Sequence, residues 1–350
     1  MKKILLLSAY KSDSHASWVK WLTQNLAADW RVLELPGRYY RWRIRGNPLS
    51  WLDELPAQLT GWQPERILAT SMVDIATLKG LFPQLAAVPV SYYFHENQFA
   101  YPQGEGQHNS VDPQMVQLYG ALAADECLFN SQFNLDTFLA GVDALLKKLP
   151  DCKPADLRAR LQPKCRVLPV PVNPVAAGEK IPGLILWNHR WEYDKKPDDF
   201  LAILRCLNSR KTDFKLALLG PRAEKTPPVL QQIRREFAAA IVADGMVSRA
   251  DYQHWLGAAP VVVSTAIHEF QGLSVLEAVS AGAVPVVPDD LCYREQYAAA
   301  NRYTPGQVEQ AAEQITTALQ CYQPVAAPAA FMQAGAGWKN WLERLPGKLD

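Results

Sequence analysis

Short apolar runs alternate with amphipathic stretches along almost the whole chain, and this alternation limits the possible folds more than any other feature. In the first half, strand-like runs lie at residues 3–9, 31–35, 66–70, 88–94, 126–130 and 166–170. Stretches with the apolar spacing of a helix lie between them at residues 14–28, which start with the cap residue Ser14, and at 113–124 and 132–146. Strands that alternate with helices predict βαβ units around a parallel sheet.

The second half repeats the pattern, with strand-like runs at residues 183–188, 214–219, 261–265 and 284–287. The stretch 168–182 is rich in Pro, which is typical of a linker. A length of 350 residues, at roughly 150 per domain, also favours two domains. We therefore predict an α/β fold of two doubly wound Rossmann-like domains facing a central cleft. The predicted parts are a first domain 1–172, a linker 173–182, a second domain 183–325 and a C-terminal segment 326–350 whose helix crosses back to the first domain.

Composition excludes several classes of protein. Hydrophobic residues make up 49% of the chain and charged residues 20%, which is typical of a protein with a packed core rather than a disordered one. The net charge of +1 excludes a uniformly basic coat for nucleic acid but not a local basic patch. The 6 cysteines are scattered without a CxxC pair, which favours a reducing compartment over disulfides or a zinc module. The apolar run after Met1 is too short for a signal peptide, and no window could span a membrane, so we expect a cytoplasmic protein without a membrane partner.

In open parallel sheets ligands bind at the carboxyl ends of the strands, so we look for chemistry there. After the run 183–188 come His189, Arg190 and Lys195, and the two cations precede a helix. A guanidinium, an ammonium and a helix N-terminus can together neutralise a diphosphate. A solvated charged loop would give the same pattern.

After the run 261–265 come Glu269, Phe270, Gln271, Gly272 and Leu273, and Glu277 follows on the predicted helix. A glycine at this place lets the backbone approach a ligand, and the amides around it favour an anion. Exposed glutamates are common on helices, so the order strand, loop, glycine and helix carries the interpretation more than the pair itself.

Polar residues also end three runs of the first half: His15 after the first, His95, Glu96, Asn97 and Gln98 after the fourth, and Asn130 and Ser131 after the fifth. A histidine in the expected cleft could act on a substrate or could belong to the core. Asn130 and Ser131 could equally cap the helix that follows them.

Taken together and in this order, these motifs resemble a retaining family-4 GT-B glycosyltransferase, and more narrowly the tRNA-queuosine α-mannosyltransferase group. The broader likeness rests on Glu269 and Glu277, which match an E-x7-E signature, and on Arg190 with Lys195. The narrower one rests on further segments between about residues 4 and 300: 95–98 with 101–102, 129–131 with 133–134, 163–165, 189–192 with 194–195, 264–265 with 268–270, and 290–291. Where the group has Gly-Gly-Ser-His after the first strand, this chain has Ser12-Asp13-Ser14-His15, so close backbone approach to the donor at that loop is not expected here.

The resemblance implies a transfer of mannose from GDP-mannose to queuosine in the anticodon of a tRNA, tRNA-Asp in particular. It implies that Arg190 and Lys195 hold the diphosphate, that Glu269 contacts the sugar and Glu277 the ribose, and that no metal or cofactor is needed. From their position after the strands, we also expect His189 and residues 270–273 to bind the donor and His95 to assist the transfer. The same position suggests acceptor contacts for His15, Glu96, Asn97, Gln98, Asn130 and Ser131.

Charge distribution supports an RNA acceptor. Residues 31–45 carry five arginines against one acidic residue, and among them Arg38, Arg41, Arg43 and Arg45 are interleaved with aromatic residues that include Trp42. This mixture suits phosphate contacts combined with stacking on unpaired bases. A second basic segment lies at 147–166. A loop whose Trp and Tyr pack into the core would give the same pattern at 31–45.

Two other functions remain possible from the sequence alone. One keeps the fold and donor but transfers the sugar to a lipid, a polysaccharide or a small molecule; no amphipathic basic helix of the kind expected for a lipid acceptor is obvious. The other is a catalytically silent RNA-binding protein, against which the intact Arg190, Lys195, Glu269 and Glu277 argue.

Overall fold

Two parallel sheets organise the chain, and each has six strands. The computed structural model describes residues 1–101, 110–221 and 227–346. The chain divides into a first domain of Met1–Pro171 with Gln333–Asp350, and a second domain of Val172–Met332. The second domain thus continues beyond the expected boundary at residue 325.

The sheet of the first domain has the strand order β2-β1-β3-β4-β5-β6. The strands are β1 Lys2–Lys11, β2 Ala28–Pro36, β3 Arg66–Thr70, β4 Val90–Phe94, β5 Glu126–Phe129 and β6 Cys165–Val167. The helices are α1 Asp13–Asn25, α2 Tyr40–Ser50, α3 Glu54–Leu59, α4 Ile75–Leu81, α5 Asp112–Ala123, α6 Gln132–Lys148 and α7 Arg158–Leu161. All six strand-like runs of the first half correspond to strands.

The sheet of the second domain has the order β12-β11-β10-β7-β8-β9. Its strands are β7 Leu184–Trp187, β8 Lys215–Leu219, β9 Ile241–Gly245, β10 Val261–Val263, β11 Val284–Pro288 and β12 Arg302–Tyr303. Its helices are α8 Pro197–Ser209, α9 Pro228–Glu236, α10 Arg249–Ala258, α11 Leu273–Ser280, α12 Tyr293–Gln296, α13 Val308–Gln320 and α14 Ala329–Met332. The edge strands β9 and β12 were not predicted.

The last helix, α15 Ala334–Arg344, belongs to the first domain. Its Trp338 ring packs against those of Trp18 and Tyr93, and its Nε1 donates to the carbonyl of Pro169 at 2.9 Å. Helices α1 and α15 therefore cover one face of the first sheet. The other face packs against α2, α4, α5 and α6, which contribute Ile44, Leu78, Val116 and Phe138 to one buried cluster.

Two local predictions need correction. Helix α1 is capped by Ser12, whose Oγ accepts the amide of His15 at 3.5 Å, and not by Ser14. The helix also ends at Asn25 rather than at residue 28, because Leu26 is extended and Ala28 begins β2. The predicted linker, residues 173–182, forms no helix or strand, but it belongs to the second domain. The amide of Gly178 donates to Gly257 within the second domain.

No helix among the described residues is both long and apolar enough to cross a membrane.

Candidate active site

In the second domain, two neighbouring strands deliver the predicted donor residues to one edge of the sheet. Strand β10 pairs with β7 in parallel, so the segments after both strands leave from the same edge. Hydrogen bonds then join these segments. The amide of Ile267 donates to the carbonyl of Asp194 at 2.8 Å, and Thr265 Oγ1 donates to the carbonyl of Lys195 at 2.7 Å. The segment with the cations is therefore fixed to the segment with Glu269.

Lys195 lies at the centre of a buried ion cluster. Its Nζ donates to Glu269 Oε2 at 3.1 Å and to the carbonyl of His268 at 2.8 Å. It also lies 3.2 Å from Asp194 Oδ2, at an ion-pair distance but without hydrogen-bond geometry. The side chains of Lys195 and Asp194 are only 8% and 4% exposed. Such a cluster is stable only because each charge is compensated inside it.

The pKa values follow from this arrangement. Burial would raise the pKa of Glu269, but the charge and hydrogen bond of Lys195 together with the amide of Gly272 outweigh burial and lower that pKa to about 2. Burial would lower the pKa of Lys195, but the carboxylates of Glu269 and Asp194 outweigh it and raise the pKa. Both groups are therefore charged throughout the neutral range.

Arg190 differs from Lys195 in exposure. Its side chain is 51% exposed, and its Nη2 lies 3.5 Å from Glu192 Oε2 and 4.0 Å from Asp194 Oδ2. Loose pairs of this kind in solvent contribute little to stability. The guanidinium thus remains accessible to an anion, beside a second cation that is held rigidly.

Gly272 shapes the start of α11. Its φ of 67° lies in the left-handed region, and a Cβ there would lie 3.1 Å from Tyr293 Cε1. A glycine is therefore needed where the loop joins the helix. One oxygen of Glu269 accepts the amide of Phe270 at 3.2 Å, so this carboxylate is fixed from both sides. Phe270 and Gln271 are buried, whereas Leu273 is half-buried.

Glu277 lies outside the ion cluster. Its Oε2 accepts a hydrogen bond from the hydroxyl of Tyr252 at 3.0 Å, and that hydroxyl in turn accepts one from Asn188 Nδ2 at 3.2 Å. Burial raises the pKa of Glu277, against the effect of the Tyr252 hydrogen bond. The two glutamates of the E-x7-E pair therefore have different neighbours.

His189 is buried and packs in the interior of the domain. Its Nε2 lies 3.3 Å from the carbonyl of Val263 and its Nδ1 lies 3.5 Å from Ser274 Oγ. Burial lowers its pKa to about 4, so the ring is neutral at pH 7. Three residues that sequence reasoning did not single out, Asp194, Tyr252 and Asn188, hold the predicted ones in place. Of these, only Asp194 had a signal in the sequence, as the neighbour of Lys195.

The carboxyl edge of the first sheet carries an aromatic and imidazole cluster. The rings of His15 and His95 lie 4.1 Å apart, and that of His95 also contacts those of Trp18 and Tyr93, each at 4.7 Å. His15 Nδ1 lies 2.6 Å from the carbonyl of Tyr10. Burial lowers the pKa of His15 to about 4, and burial together with His15 lowers that of His95. His95 Nε2 is buried without a hydrogen bond to any described residue.

Most of the other polar residues predicted at this edge hold the loops together. Asn97 donates to Asn134 and Thr137 and accepts the amides of Phe99 and Ala100. Asn130 and Ser131 also bond groups of the protein itself. Asn130 Nδ2 donates to the carbonyl of His95 at 2.8 Å, and Ser131 Oγ caps α6 by accepting the amide of Asn134 at 3.0 Å. The geometry thus favours a structural role for Asn97, Asn130 and Ser131 over contact with an acceptor. Glu96 and Gln98 are half-buried, and the amide of Gln98 donates to Gln117.

The arginines of residues 38–45 lie on and just before helix α2, which was not predicted as a helix. Arg38, Arg41 and Arg45 are exposed, and Arg45 pairs with Asp74 at 2.9 Å. Arg43 is half-buried and donates to the carbonyl of Pro36 and to Ser50, both at 3.4 Å. Trp42 is 49% exposed, so the alternative in which it packs into the core is wrong.

The second basic segment lies elsewhere on the first domain. Lys147 and Lys148 end helix α6, which begins at the carboxyl end of β5 and runs back towards the amino ends of the strands. Lys164 Nζ donates to the carbonyls of Leu122 and Ala124, which precede β5. The segments 38–45 and 147–166 therefore lie at opposite ends of the strands and do not form one patch.

Among the described residues, no group of three or more His, Cys, Asp or Glu side chains could hold a metal ion.

Known structures share this architecture. Sucrose-phosphate synthase from Thermosynechococcus elongatus superposes with a TM-score of 0.68 at 13% identity, covering 99% of this chain and 95% of that chain. Anabaena HepE in complex with UDP-glucose gives 0.66 at 15% identity, covering 98% of each. These likenesses concern the fold, and with the two parallel six-stranded sheets they define the two-domain α/β fold of the GT-B glycosyltransferases.

Sequence comparisons are more specific. A family model described as tRNA-queuosine alpha-mannosyltransferase N-terminal matches residues 3–172, and one described as glycosyl transferases group 1 matches residues 177–335. The chain is 34% identical over 316 residues to the tRNA-queuosine alpha-mannosyltransferase of Drosophila melanogaster, covering 86% of this chain and 83% of that protein. The chain belongs to the tRNA-queuosine alpha-mannosyltransferase family.

Proposed function

We propose that this protein transfers mannose from GDP-mannose to the cyclopentenediol of queuosine in a tRNA anticodon, tRNA-Asp being the expected acceptor, with retention at the anomeric carbon. The family supports the acceptor and the sugar. The observation that carries the chemistry is the pair of cations at one strand end, with Lys195 buried in a compensated cluster and Arg190 accessible. A cytoplasmic location agrees with a tRNA substrate.

Arg190 and Lys195 are proposed to bind the donor diphosphate. The guanidinium can form two parallel hydrogen bonds to phosphate oxygens, and the ammonium acts as a point charge beside it. Lys195 donates to Glu269 and to the carbonyl of His268, which uses two of the three N–H groups of its ammonium. The third N–H group is proposed to bond a phosphate oxygen, while Glu269 stays in place beside it to bond a sugar hydroxyl.

Glu277 is proposed to hold the ribose hydroxyls. Tyr252 bonds one of its carboxylate oxygens, which leaves the other for a ligand. His189 and the residues 270–273 then shape the site rather than react. The amides of Phe270 and Gly272 already bond the Glu269 carboxylate, so the start of α11 fixes this carboxylate rather than offering these amides to the donor.

The transfer itself needs no protein nucleophile in this proposal. The bond between the anomeric carbon and the diphosphate oxygen breaks as the acceptor oxygen adds on the same face, and the proton of the acceptor hydroxyl passes to the departing diphosphate. Arg190 and Lys195 stabilise the charge that develops on this diphosphate. Neither a metal nor a cofactor is part of the proposed reaction.

His95 is proposed to bond a hydroxyl group of a substrate through its buried Nε2. A buried polar atom without a partner is costly, and a ligand hydroxyl would remove that cost. His95→Ala should lower the melting temperature, because its ring packs against those of His15, Trp18 and Tyr93, but the folded variant should also have a lower kcat at an unchanged Kd for GDP. A variant with a lower melting temperature and normal kcat would show that His95 only completes the core.

The decisive experiment is mass spectrometry of tRNA nucleosides after incubation with the purified protein and a panel of sugar nucleotides, with and without EDTA. We expect a hexose added to queuosine from GDP-mannose, in EDTA as well. A requirement for Mg²⁺ would overturn the metal-free mechanism, and transfer only to a lipid, a polysaccharide or a small molecule would overturn the RNA acceptor. Donor binding without transfer or hydrolysis would indicate a silent RNA-binding protein.

A further inference from the structure

We propose that the exposed face of helix α2 binds an unpaired RNA base, which stacks on Trp42, while Arg38 and Arg41 contact the flanking phosphates. This inference rests on the proposed function, which identifies the partner as a tRNA. It adds which surface of the first domain binds that tRNA.

The first observation is how Trp42 lies on its helix. A Cβ added at Gly46, one turn further along α2, would lie 2.5 Å from Trp42 Cε2 and 2.6 Å from Cδ2 and Cζ2. The indole therefore lies flat across the glycine, in contact with its backbone. With 49% of Trp42 exposed, one face of the ring is covered and the other is open.

Gly46 is unusual at this place. A glycine inside a helix is less favourable than an alanine, because it has more freedom to lose on folding. Here the absence of a Cβ at Gly46 leaves the space that the indole of Trp42 occupies. A tryptophan held flat with one open face is what stacking on a base requires, since every base has a π-face and the indole loses little freedom on binding.

The second observation is the charge around the ring. Arg38 and Arg41 are exposed, and the side chain of neither forms an ion pair or a hydrogen bond with a described residue. The guanidinium of Arg38 lies 5.6 Å from the ring centre of Tyr39. Arg45 is exposed but pairs with Asp74, and Arg43 is turned towards Pro36 and Ser50. Arg38 and Arg41 are therefore the arginines most available to phosphates, and Arg43 the least.

The third observation is the place of this face in the domain. Helix α2 begins four residues after the carboxyl end of β2, so its first turn lies at the ligand-binding edge of the sheet. The ring of Tyr40 lies 6.0 Å from that of Tyr10 at the end of β1, and Glu96 is close enough to raise the pKa of Tyr40, after the larger effect of burial. Trp42 is thus on the same edge as His95.

The experiment measures binding of a queuosine-containing anticodon stem-loop RNA by fluorescence anisotropy at several salt concentrations. Trp42→Ala should weaken binding by roughly 5- to 150-fold at every salt concentration, the range for one lost base stack. Arg41→Ala should instead flatten the log–log salt dependence by about 0.7–0.9. Tyr119→Ala, an equally exposed aromatic residue on α5, and Arg160→Ala, at the other end of the strands, are the matched controls and should bind normally.

Gly46→Ala is the sharper variant. Alanine favours the helix, so the protein should fold, but the new Cβ displaces the indole and RNA binding should weaken several-fold. In a Trp42→Ala background the same substitution should have no further effect on binding. Equal effects of Gly46→Ala in both backgrounds, or normal RNA binding by folded Trp42→Ala, would overturn the proposal.

Failure of this surface and failure of the proposed function are distinguishable. If wild-type protein transfers mannose and Trp42→Ala keeps its RNA affinity, only the surface is wrong. If wild-type protein binds the RNA through Trp42 but transfers no sugar, only the proposed reaction is wrong.

Discussion

The carboxyl edges of the two sheets have opposite chemistry, although both belong to parallel six-stranded sheets. The edge of the second domain buries a lysine with two carboxylates, Lys195 with Asp194 and Glu269. The edge of the first domain holds two neutral imidazoles among aromatic rings, the buried His15 and the half-buried His95. The exposed arginines of α2 lie outside that buried cluster.

The two edges show two ways in which polar side chains can be buried at the end of a sheet. In the second domain, Lys195, Asp194 and Glu269 can be buried because each has an opposite charge within about 3 Å, which offsets the loss of water. In the first domain, burial lowers the pKa of His15 and His95 and no carboxylate acts against this, so both rings stay neutral. A preformed charged site suits an anionic donor, whereas a neutral one suits hydroxyl groups and flat rings.

The largest expected effect comes from breaking the charged edge. Lys195→Ala and Arg190→Ala should each lower kcat/KM by about 10²-fold or more, because in the proposed mechanism each removes a charged donor to the departing diphosphate. Lys195→Ala should also lower the melting temperature, since it leaves Glu269 buried without its partner.

Arg190→Ala is the matched control for stability. Because the Arg190 side chain is half exposed, its removal should leave the melting temperature unchanged. Full activity of a folded Arg190→Ala protein would remove this residue from the donor site.

The neutral edge should be sensitive to acid. The pKa of His15 is about 4 in the folded protein and near 6.5 in the unfolded chain, so its stabilisation is complete above pH 6.5 and is lost as the pH falls towards 4. The loss amounts to roughly 3 kcal/mol of unfolding free energy for this one histidine. Urea titrations at pH 7, 5.5 and 4.5 measure it.

In His15→Asn the amide can still donate to the carbonyl of Tyr10, but the titrating group is gone. This variant should therefore show a shallower pH dependence of the unfolding free energy than wild-type protein. Identical slopes for the two proteins would mean that His15 has the same pKa in the folded and the unfolded state, and would contradict the prediction.

The smallest effect should come from the hydrogen bond that positions Glu277. Tyr252→Phe removes only the hydroxyl that bonds Oε2, and one such bond to a charged group contributes about 1.5 kcal/mol or more. We expect the KM for the sugar nucleotide to rise about tenfold at nearly constant kcat. A fall in kcat at constant KM would place Tyr252 in the transfer step instead.

The alternation of apolar runs with amphipathic stretches predicted most of the strands, because a parallel strand buried on both faces consists of consecutive apolar residues. Strand β9, with the sequence of Ile241–Gly245, has few apolar residues since it lies at the edge of its sheet. Helix α2 was missed because Gly46 and Pro48 interrupt it and its outer face is arginine-rich. Both misses come from segments without a regular apolar pattern, since the buried residues of α2 are Ile44, Gly46, Asn47 and Pro48.

The site was predictable only as far as its residues follow strands. Glu269 and Arg190 stand where the chain leaves the sheet, which the pattern shows. Tyr252 reaches Glu277 from another helix, and no local spacing encodes such a contact. The burial of Asp194 arises because its backbone is bonded to Ile267, more than seventy positions later.

Because helix α15 belongs to the first domain but follows the second in sequence, it affects the order in which the two domains can fold during synthesis. Trp338 completes the packing around Trp18 and Tyr93, and Lys2 Nζ donates to the carbonyl of Leu342 at 2.7 Å. During synthesis at about 5–20 residues per second, all of the second domain emerges from the ribosome before this helix does. The continuous second domain can therefore close first, and the domain that is translated first is the last to be finished.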